Sequence, residues 1–335
     1  MNQENKMASE PVTVVTVTYG DRKILLRQVL DALRDVNNVE RVLVVDNGAT
    51  WDVKSDLVTP YQGWVEVVEM GKNSGSATGF VAGMRRAIEI GAELIWLLDD
   101  DNCPEPNTLE ILYEHYLHES SVVDASLLAV GVFRPVGQMG IAPSRLTPRH
   151  SSYCGFHVID IPRKIIKRTP MRRLLRHPTL PSTIDVGVAA YSGLLFSKEL
   201  LQRVGFPKED FVLYCDDYEW TRRITAQGGK VLLVTRAIVM DLQSTWGGSH
   251  GNALLSFLHG RGDATAYYAM RNEVFFYSTL WRKSRYMYFL NRAIFTSLLW
   301  LIGKSTGREA RLGLLRKAAQ DGMTGKLGMN PEFPL

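Results

Sequence analysis

The stretch LIWLLDDD, residues 94 to 101, decides the fold, because a wholly apolar run passes directly into three consecutive aspartates. A short apolar run is typical of a strand that is buried on both faces. Adjacent carboxylates repel one another, and Mg²⁺ or Mn²⁺ stabilises them by taking one or two carboxylates together with phosphate oxygens. We therefore predict a strand that ends at a metal-assisted diphosphate site formed by Asp99, Asp100 and Asp101. A solvated acidic turn is the structural alternative.

The chain before this stretch alternates strands with helices. Apolar and β-branched side chains predominate in three segments, which predicts strands at residues 12 to 18, 41 to 45 and 64 to 70. Residues 22 to 36 and 80 to 90 carry apolar side chains at helical spacing. Strands that alternate with helices predict an α/β fold, with a mainly parallel sheet flanked by helices.

Polar side chains follow three of these strands. Thr18 and Tyr19 lie at the end of the first strand, Asp46 at the end of the second, and the aspartate triplet at the end of the fourth. In a mainly parallel sheet the ligand lies beyond the carboxyl ends of the strands. We therefore expect the three strand ends to form one binding site.

A second acidic cluster lies in YCDDYEWTRR, residues 214 to 223. A carboxylate can act as a general base, which accepts the proton of a hydroxyl group as that oxygen forms a new bond. Asp216, Asp217 and Glu219 are candidates for this role. The structural alternative is a charged helix start, because carboxylates interact favourably with the N-terminal end of a helix dipole.

A loop of small residues, NSGSATG at residues 73 to 79, precedes the helix predicted at 80 to 90. Small residues allow backbone N–H groups to approach an anion at a helix start. The loop lacks the GxGxxG spacing of dinucleotide-binding proteins, which argues against a site of that kind. Close packing of helix and strand is the structural alternative.

The composition excludes several classes of protein. Of 335 residues, 45% are apolar and 22% are charged, as in ordinary folded proteins, and a net charge of +4 is too small to indicate nucleic-acid binding. Three cysteines without CxxC spacing argue against a disulfide framework or a zinc site. The polar first residues lack the apolar core of a secretory signal, and the late apolar stretch from 289 to 302 is too short to span a bilayer. We expect a cytoplasmic protein.

The last part of the chain is basic and aromatic. Residues 261 to 335 hold twelve Lys or Arg against five Asp or Glu, and residues 161 to 178 hold seven Lys or Arg and no acid. Cations mixed with large apolar groups suit an anionic membrane surface or a pyrophosphate-linked lipid. We predict a catalytic domain at 1 to 255, a helical C-terminal segment at 256 to 335, and peripheral contact at the inner face of the plasma membrane. A solvated surface over an aromatic core is the alternative.

The motifs VTVVTVTYG, VVDNGA, KNSGSATGF, WLLDDDNCPEP and FVLYCDDYEW, in this order, resemble inverting GT-A glycosyltransferases of the large family 2 type. The triple Asp and the CDDYEW segment are most similar to galactofuranosyltransferases and rhamnosyltransferases of cell-envelope polysaccharide synthesis. YYAMRN and DGMTGKLG resemble the C-terminal parts of those enzymes. The resemblance implies a GT-A fold, Mn²⁺ or Mg²⁺, a UDP- or dTDP-sugar donor, a glycan or lipid-linked acceptor, and inversion at the anomeric carbon.

The resemblance also implies roles for individual residues. The catalytic base would be Asp217. The donor would be bound by Thr18, Tyr19, Asp46, Asn73, Gly75, Asp99 and Asp100. The metal would be bound by Asp99 and Asp101. The acceptor would be bound by Gly193, Asp216, Glu219 and Trp220. Relatives often carry a metal-binding His where this chain has Asp241, so either Asp241 or His250 is the further metal ligand.

Two other functions agree with parts of the sequence. A sugar-phosphate nucleotidyltransferase would use a similar nucleotide-binding sheet, but its Gly-rich, basic opening motif is missing after residues 12 to 18. A non-catalytic scaffold of a polysaccharide assembly complex would not need both acidic clusters.

Overall fold

The computed structural model describes residues 10–138, 146–167, 169–170, 179–243, 253–260 and 262–335. Within these residues, one sheet contains nine strands. They are β1 (Val12–Gly20), β2 (Val39–Ala49), β3 (Val65–Glu69), β4 (Leu94–Asp99), β5 (Asn102–Pro104), β6 (Leu128–Phe133), β7 (Thr183–Asp185), β8 (Leu194–Ser197) and β9 (Lys230–Asp241).

Helices lie between the strands and follow the last one. They are α1 (Lys23–Arg34), α2 (Val53–Val58), α3 (Ser76–Glu89), α4 (Thr108–Ser120), α5 (Pro135–Gln138), α6 (Ile161–Lys167), α7 (Lys198–Val204), α8 (Asp216–Ala226), α9 (Ala253–His259), α10 (Asp263–Phe275), α11 (Arg285–Ser305) and α12 (Glu309–Thr324). A π-helical turn, Phe276–Leu280, continues α10.

The sheet has the strand order β3-β2-β1-β4-β8-β6-β9-β5, and β7 pairs with β9. Strands β3, β2, β1 and β4 are parallel, as are β6 and β9, whereas β8 runs antiparallel to both of its neighbours. The prediction of an α/β fold with a mainly parallel sheet is confirmed. Sequence analysis did not predict β5 and β7, which are three residues long each, or β6.

The β-branched sequence of β1 explains its central place. Val14 packs in a cluster with residues of α1 and α4, whereas Val15 packs in a second cluster with residues of α3. Both side chains are completely buried. Full burial of a side chain of this size stabilises the fold by about 1.5–3 kcal/mol, so apolar runs of this kind favour the centre of a sheet.

The strand register places the polar strand ends together. Thr18 of β1 lies beside Asp46 of β2, and Val17 lies beside Asp99 of β4. The prediction that the strand exits meet at one edge of the sheet is therefore confirmed.

The C-terminal helices build a third core together with the loop that precedes α8. Buried residues of α9 to α12 form one cluster with Phe211, Val212 and Cys215. The predicted boundary at residues 255 and 256 stays a prediction, since α9 begins before it and shares this core.

In the described part of the chain, none of the helices is long and apolar enough to cross a bilayer.

Candidate active site

A cavity of about 510 Å³ lies at the carboxyl ends of β1 and β4. Both acidic clusters contribute to its lining, although more than a hundred residues separate them in sequence. Of the residues singled out from the sequence, the cavity is lined by Tyr19, Asn73, Gly75, Asp99, Asp100, Asp101, Asp216 and Asp217.

Arg22 neutralises part of the aspartate triplet. Its Nε donates to both carboxylate oxygens of Asp100, at 2.7 and 2.9 Å, and its second guanidinium nitrogen lies 2.8 Å from Asp101 Oδ2. The guanidinium also lies 5.2 Å from the centre of the Tyr19 ring. The sequence analysis overlooked this internal cation, although Arg22 is the first basic residue after the exit of β1.

A second arginine neutralises Asp241. Arg134 contacts Asp241 Oδ1 at 2.5 Å, and the Asp241 side chain is almost fully buried. Asn102 lies opposite Asp241 in the pairing of β5 with β9, and its amide donates to Asp241 at 2.9 Å and to Asp101 at 3.0 Å. Asp241 therefore lies next to the triplet, held in an ion pair. His250 lies outside the described residues.

The carboxylates suit a cation that arrives with phosphate. Among the described residues, no three His, Cys, Asp or Glu side chains form a ready metal site. Both oxygens of Asp101 already accept hydrogen bonds, from Arg22 and Asn102. Mg²⁺ commonly takes only one or two carboxylates and completes its shell with phosphate oxygens and water. Asp99 and Asp101 fit this kind of site.

The small-residue loop is fixed to the end of β2. Asn47 donates to the carbonyl of Gly75 at 3.1 Å and accepts from the N–H of Ser74 at 2.9 Å. Gly75 has φ +89°, and a Cβ there would lie 2.1 Å from the carbonyl oxygen of Val212. Only glycine fits this position, so the loop and the turn before α8 are in direct contact.

Asp216 and Asp217 begin α8 at the other side of the cavity. Burial raises the pKa of Asp216 to about 7 from an ordinary value of 3.8. Burial, together with the neighbouring charge of Asp216, raises the pKa of Asp217 well above the ordinary value. Asp217 Oδ1 accepts from the N–H of Tyr218 at 2.7 Å. Carboxylates with raised pKa values accept protons more readily near neutral pH.

The other residues singled out from the sequence lie around the cavity and are not among its described lining. Asp46 accepts from the N–H of Ala49 at 2.8 Å, near the end of β2. Glu219 pairs with Arg223 at 3.2 Å. Thr18, Gly193 and Trp220 are fully or almost fully buried.

Several cavity-lining side chains were missed by the sequence analysis. Tyr191 and Ser192 stand directly before Gly193, so the segment was noticed but not these side chains. Gln243 and Thr265 gave no sequence signal, because neither belongs to a motif. Besides Arg22, the missed polar and aromatic residues include Tyr191, Ser192, Tyr214, Gln243 and Thr265.

The raised pKa of Asp216 predicts how stability changes with pH. The folded protein keeps this proton up to about pH 7, whereas the unfolded chain releases it near 3.8. Between these values the folded state binds more protons, so the free energy of unfolding falls as pH rises, by at most about 1.4 kcal/mol per pH unit. Asp216→Asn should reduce this fall and be more stable than the wild type above pH 7, whereas the raised pKa of Asp217 still contributes to the fall.

Urea unfolding between pH 4.5 and 8 measures this effect, within the window just given. The control is Glu105→Gln, because Glu105 is exposed. We expect the control to follow the wild type at every pH. Parallel stability curves for Asp216→Asn and the wild type would contradict the burial argument.

Comparison with known proteins shows which family and fold the chain resembles. The model of Glycosyl transferase family 2 matches residues 13–175. Galactofuranosyltransferase GlfT1 of Mycolicibacterium smegmatis (strain ATCC 700084 / mc(2)155) is 26% identical over 228 residues, which cover 66% of this chain and 67% of that protein.

Two solved structures share the fold. GalNAc-T7 with UDP, GalNAc and Mn²⁺ has a TM-score of 0.57 at 13% identity and matches 83% of this chain, which spans about half (49%) of that longer chain. Mannosyltransferase PcManGT from Pyrobaculum calidifontis, in complex with GDP-Man and Mn²⁺, has a TM-score of 0.52 at 16% identity, over 97% of this chain and 78% of its own. The family 2 match, the relative and the shared fold together identify this chain as a GT-A type glycosyltransferase.

Proposed function

We propose that the chain transfers a sugar from a UDP- or dTDP-sugar to a hydroxyl of a glycan or lipid-linked acceptor, with inversion at the anomeric carbon. The observation that carries this proposal is the single cavity lined by Asp99 to Asp101 on one side and by Asp216 and Asp217 on the other. The similarity to a galactofuranosyltransferase favours galactofuranose as the sugar. Rhamnose is the second choice, from the motif resemblance.

The donor would occupy the β1 side of the cavity. Tyr19 is 43% exposed at this side and offers a ring on which a nucleotide base can stack. Thr18 and Asp46, which are paired neighbours in β1 and β2, lie at the same edge of the sheet. Asn73 and Gly75 would face the diphosphate and the sugar, next to Asp99 and Asp100.

A divalent cation, Mn²⁺ or Mg²⁺, would be held by Asp101 with Asp99. It would supply positive charge to the departing nucleoside diphosphate. The Mn²⁺ in the two neighbouring structures supports this choice. Asp241 and His250 remain the candidates for a further ligand, and Asp241 would have to loosen its pair with Arg134.

Asp217 would act as the general base. The acceptor oxygen forms its bond to the anomeric carbon, the bond to the diphosphate oxygen breaks, and the hydroxyl proton passes to the Asp217 carboxylate. Asp216 would bind the acceptor beside it. Gly193, Glu219 and Trp220 would shape the acceptor side from behind the cavity wall.

Asp217→Asn should lower kcat about 10²–10⁴-fold, because the amide cannot accept the proton. Donor affinity should stay unchanged. The control is Asp216→Asn, which should raise the acceptor KM more than it lowers kcat. The measurement is steady-state transfer with UDP-galactofuranose and an oligosaccharide acceptor. Transfer at the wild-type rate by Asp217→Asn would remove Asp217 from the role of base.

Calorimetric titration with UDP and dTDP, each with Mn²⁺ and with a chelator, tests the donor side. We expect binding that depends on the metal, and a loss of affinity of about tenfold or more in Asp101→Asn, since a charged ligand is replaced by a neutral one. Asp56→Asn is the control, because Asp56 pairs with Lys23 and Arg27 outside the cavity. Metal-independent binding, or equal affinity in both variants, would contradict the metal assignment.

We also propose that the outer face of α11 contacts an anionic membrane. This face exposes large apolar side chains, with Tyr286 91%, Phe289 43%, Trp300 55% and Leu301 55% exposed. They recur at helical spacing, so they lie on one side of the helix, opposite the buried residues Phe295 and Leu299.

The charges near α11 favour lipid over a second copy of the chain. Residues 274 to 308 contain six Lys or Arg and no Asp or Glu. Two copies meeting through this face would bring like charges together. An anionic bilayer attracts each cation by about 1 kcal/mol, and aromatic side chains insert at the headgroup boundary.

Co-sedimentation with phosphatidylcholine vesicles, with and without phosphatidylglycerol, tests the membrane face. The double variant Phe289→Ser/Trp300→Ser should bind the anionic vesicles roughly tenfold more weakly, because two apolar anchors are lost. The matched control is Ile24→Ser/Val122→Ser, at two exposed apolar residues elsewhere. Equal binding by both double variants would count against this face.

A further inference from the structure

The turn that leads to Asp216 and Asp217 has an unusual backbone. Val212, Tyr214 and Cys215 have φ values of 67°, 70° and 61°, in the left-handed region that favours glycine. The N–H of Leu213 donates to the carbonyl of Phe211 at 2.7 Å, which closes a three-residue turn around Val212. A turn of this kind is rare and strained, especially at a β-branched residue, so it persists only where surrounding contacts hold it.

Asn272 of α10 supplies these contacts. Its side-chain amide nitrogen lies 2.7 Å from the carbonyl oxygens of Phe211 and Leu213, and 3.0 Å from that of Tyr214. The side chain is completely buried. The Asn272 side-chain amide therefore contacts three carbonyl groups of a single turn, and these contacts fix the shape of the turn.

Arg271 fixes the orientation of that amide. Its Nε donates to Asn272 Oδ1 at 2.8 Å, so the nitrogen of Asn272 must face the turn. Arg271 also donates to the carbonyl of Phe211 at 2.9 Å and to that of Gly328 at 2.5 Å. The guanidinium is 1% exposed. It thus ties the turn to α10 and to the segment after α12.

The same turn contacts the small-residue loop on the donor side. The N–H of Ala77 donates to the carbonyl of Val212 at 3.3 Å. The close approach of that carbonyl to Gly75 excludes a side chain there. A change in the turn would therefore reach both sides of the cavity.

We propose that Asn272, oriented by Arg271, is a positioning residue that holds the 211–215 turn so that Asp216 and Asp217 enter the cavity. It acts through the backbone of the turn, since neither Asn272 nor Arg271 is among the described residues that line the cavity. The proposal rests on the proposed role of Asp217 as the base. It assigns a catalytic purpose to the C-terminal helices, beyond that of a supporting layer.

The test uses Asn272→Asp, which keeps the size of the side chain but replaces the N–H donors by an oxygen that repels the three carbonyls. The matched control is Asn291→Asp. Asn291 is equally buried and donates to the carbonyl of Ser151 at 2.8 Å, but it does not contact the turn. Both variants replace one buried amide by a carboxyl group, but only Asn272→Asp removes donors to the turn.

Hydrogen–deuterium exchange of residues 211–219 is measured first, without substrate, and then kcat at saturating donor and acceptor. In Asn272→Asp we expect exchange in this segment to rise about tenfold or more relative to the control, and kcat to fall about 10²-fold, the usual cost of a misplaced reacting group. Asn291→Asp should keep both values near wild type. If Asn272→Asp does not fold, Arg271→Lys should loosen the same segment, because it loses the donors to Asn272 and Phe211.

Equal exchange of the segment in Asn272→Asp and Asn291→Asp would overturn the proposal, as would a loosened segment with an unchanged kcat. Failure of the proposed base is seen separately, as wild-type transfer by Asp217→Asn. The exchange measurement needs no substrate, so the two failures are distinguishable.

Discussion

The crowding of carboxylates around one cavity is the constraint on which the rest of this structure depends. Five aspartates line the cavity, and two like charges about 4 Å apart repel by roughly 4 kcal/mol at the effective dielectric of a protein surface. Arginine side chains from outside the two acidic clusters offset this repulsion. Arg22 faces Asp100 and Asp101, and Arg134 faces Asp241. On the α8 side, where Asp216 and Asp217 lie, burial raises the pKa of both carboxyl groups. Burial also raises the pKa of Asp99 to about 6 and that of Asp100 to about 7, although the nearby arginines act in the opposite direction. Both sides of the cavity therefore hold carboxyl groups that burial makes harder to ionise.

The backbone before α8 explains why the C-terminal helices belong with the site. Residues in sparsely populated backbone regions cost of the order of 1–3 kcal/mol each, and three of the four residues from Val212 to Cys215 are of this kind. A typical net hydrogen bond returns only about 0.5–1.5 kcal/mol. Several bonds from Asn272 and Arg271 are therefore needed to hold this turn. Since both side chains come from α10, the helical segment contributes directly to the geometry of the acidic pair.

Local patterns predicted the elements, and tertiary contacts decided the rest. The apolar runs of β1, β2 and β4 predicted strands because burial on both faces leaves a continuous signal, and parallel pairing then brings their ends together without further information. The pairing of Arg134 with Asp241 joins residues 107 positions apart, and that of Asn272 with Phe211 joins residues 61 apart. Contacts between residues so far apart in the chain leave no local sequence pattern from which they could be predicted. Short strands such as β5 also cannot be predicted from sequence, because three residues are too few to show a pattern of apolar and polar side chains.

The charges of the described site also bear on how a donor would enter it. Asp99, Asp100, Asp101 and Asp241 carry four negative charges when ionised, and Arg22 and Arg134 supply two positive ones. The remainder, two negative charges, equals what one divalent cation would neutralise. A diphosphate alone would therefore meet repulsion at the triplet, and a metal alone would compete with Arg22 for Asp101. Both obstacles would be smaller for metal and diphosphate together, because phosphate oxygens would ligate the metal and offer the Arg22 guanidinium a second anionic partner. If the proposed donor binds here, the ion pairs around the triplet would favour the metal–nucleotide complex over either component alone.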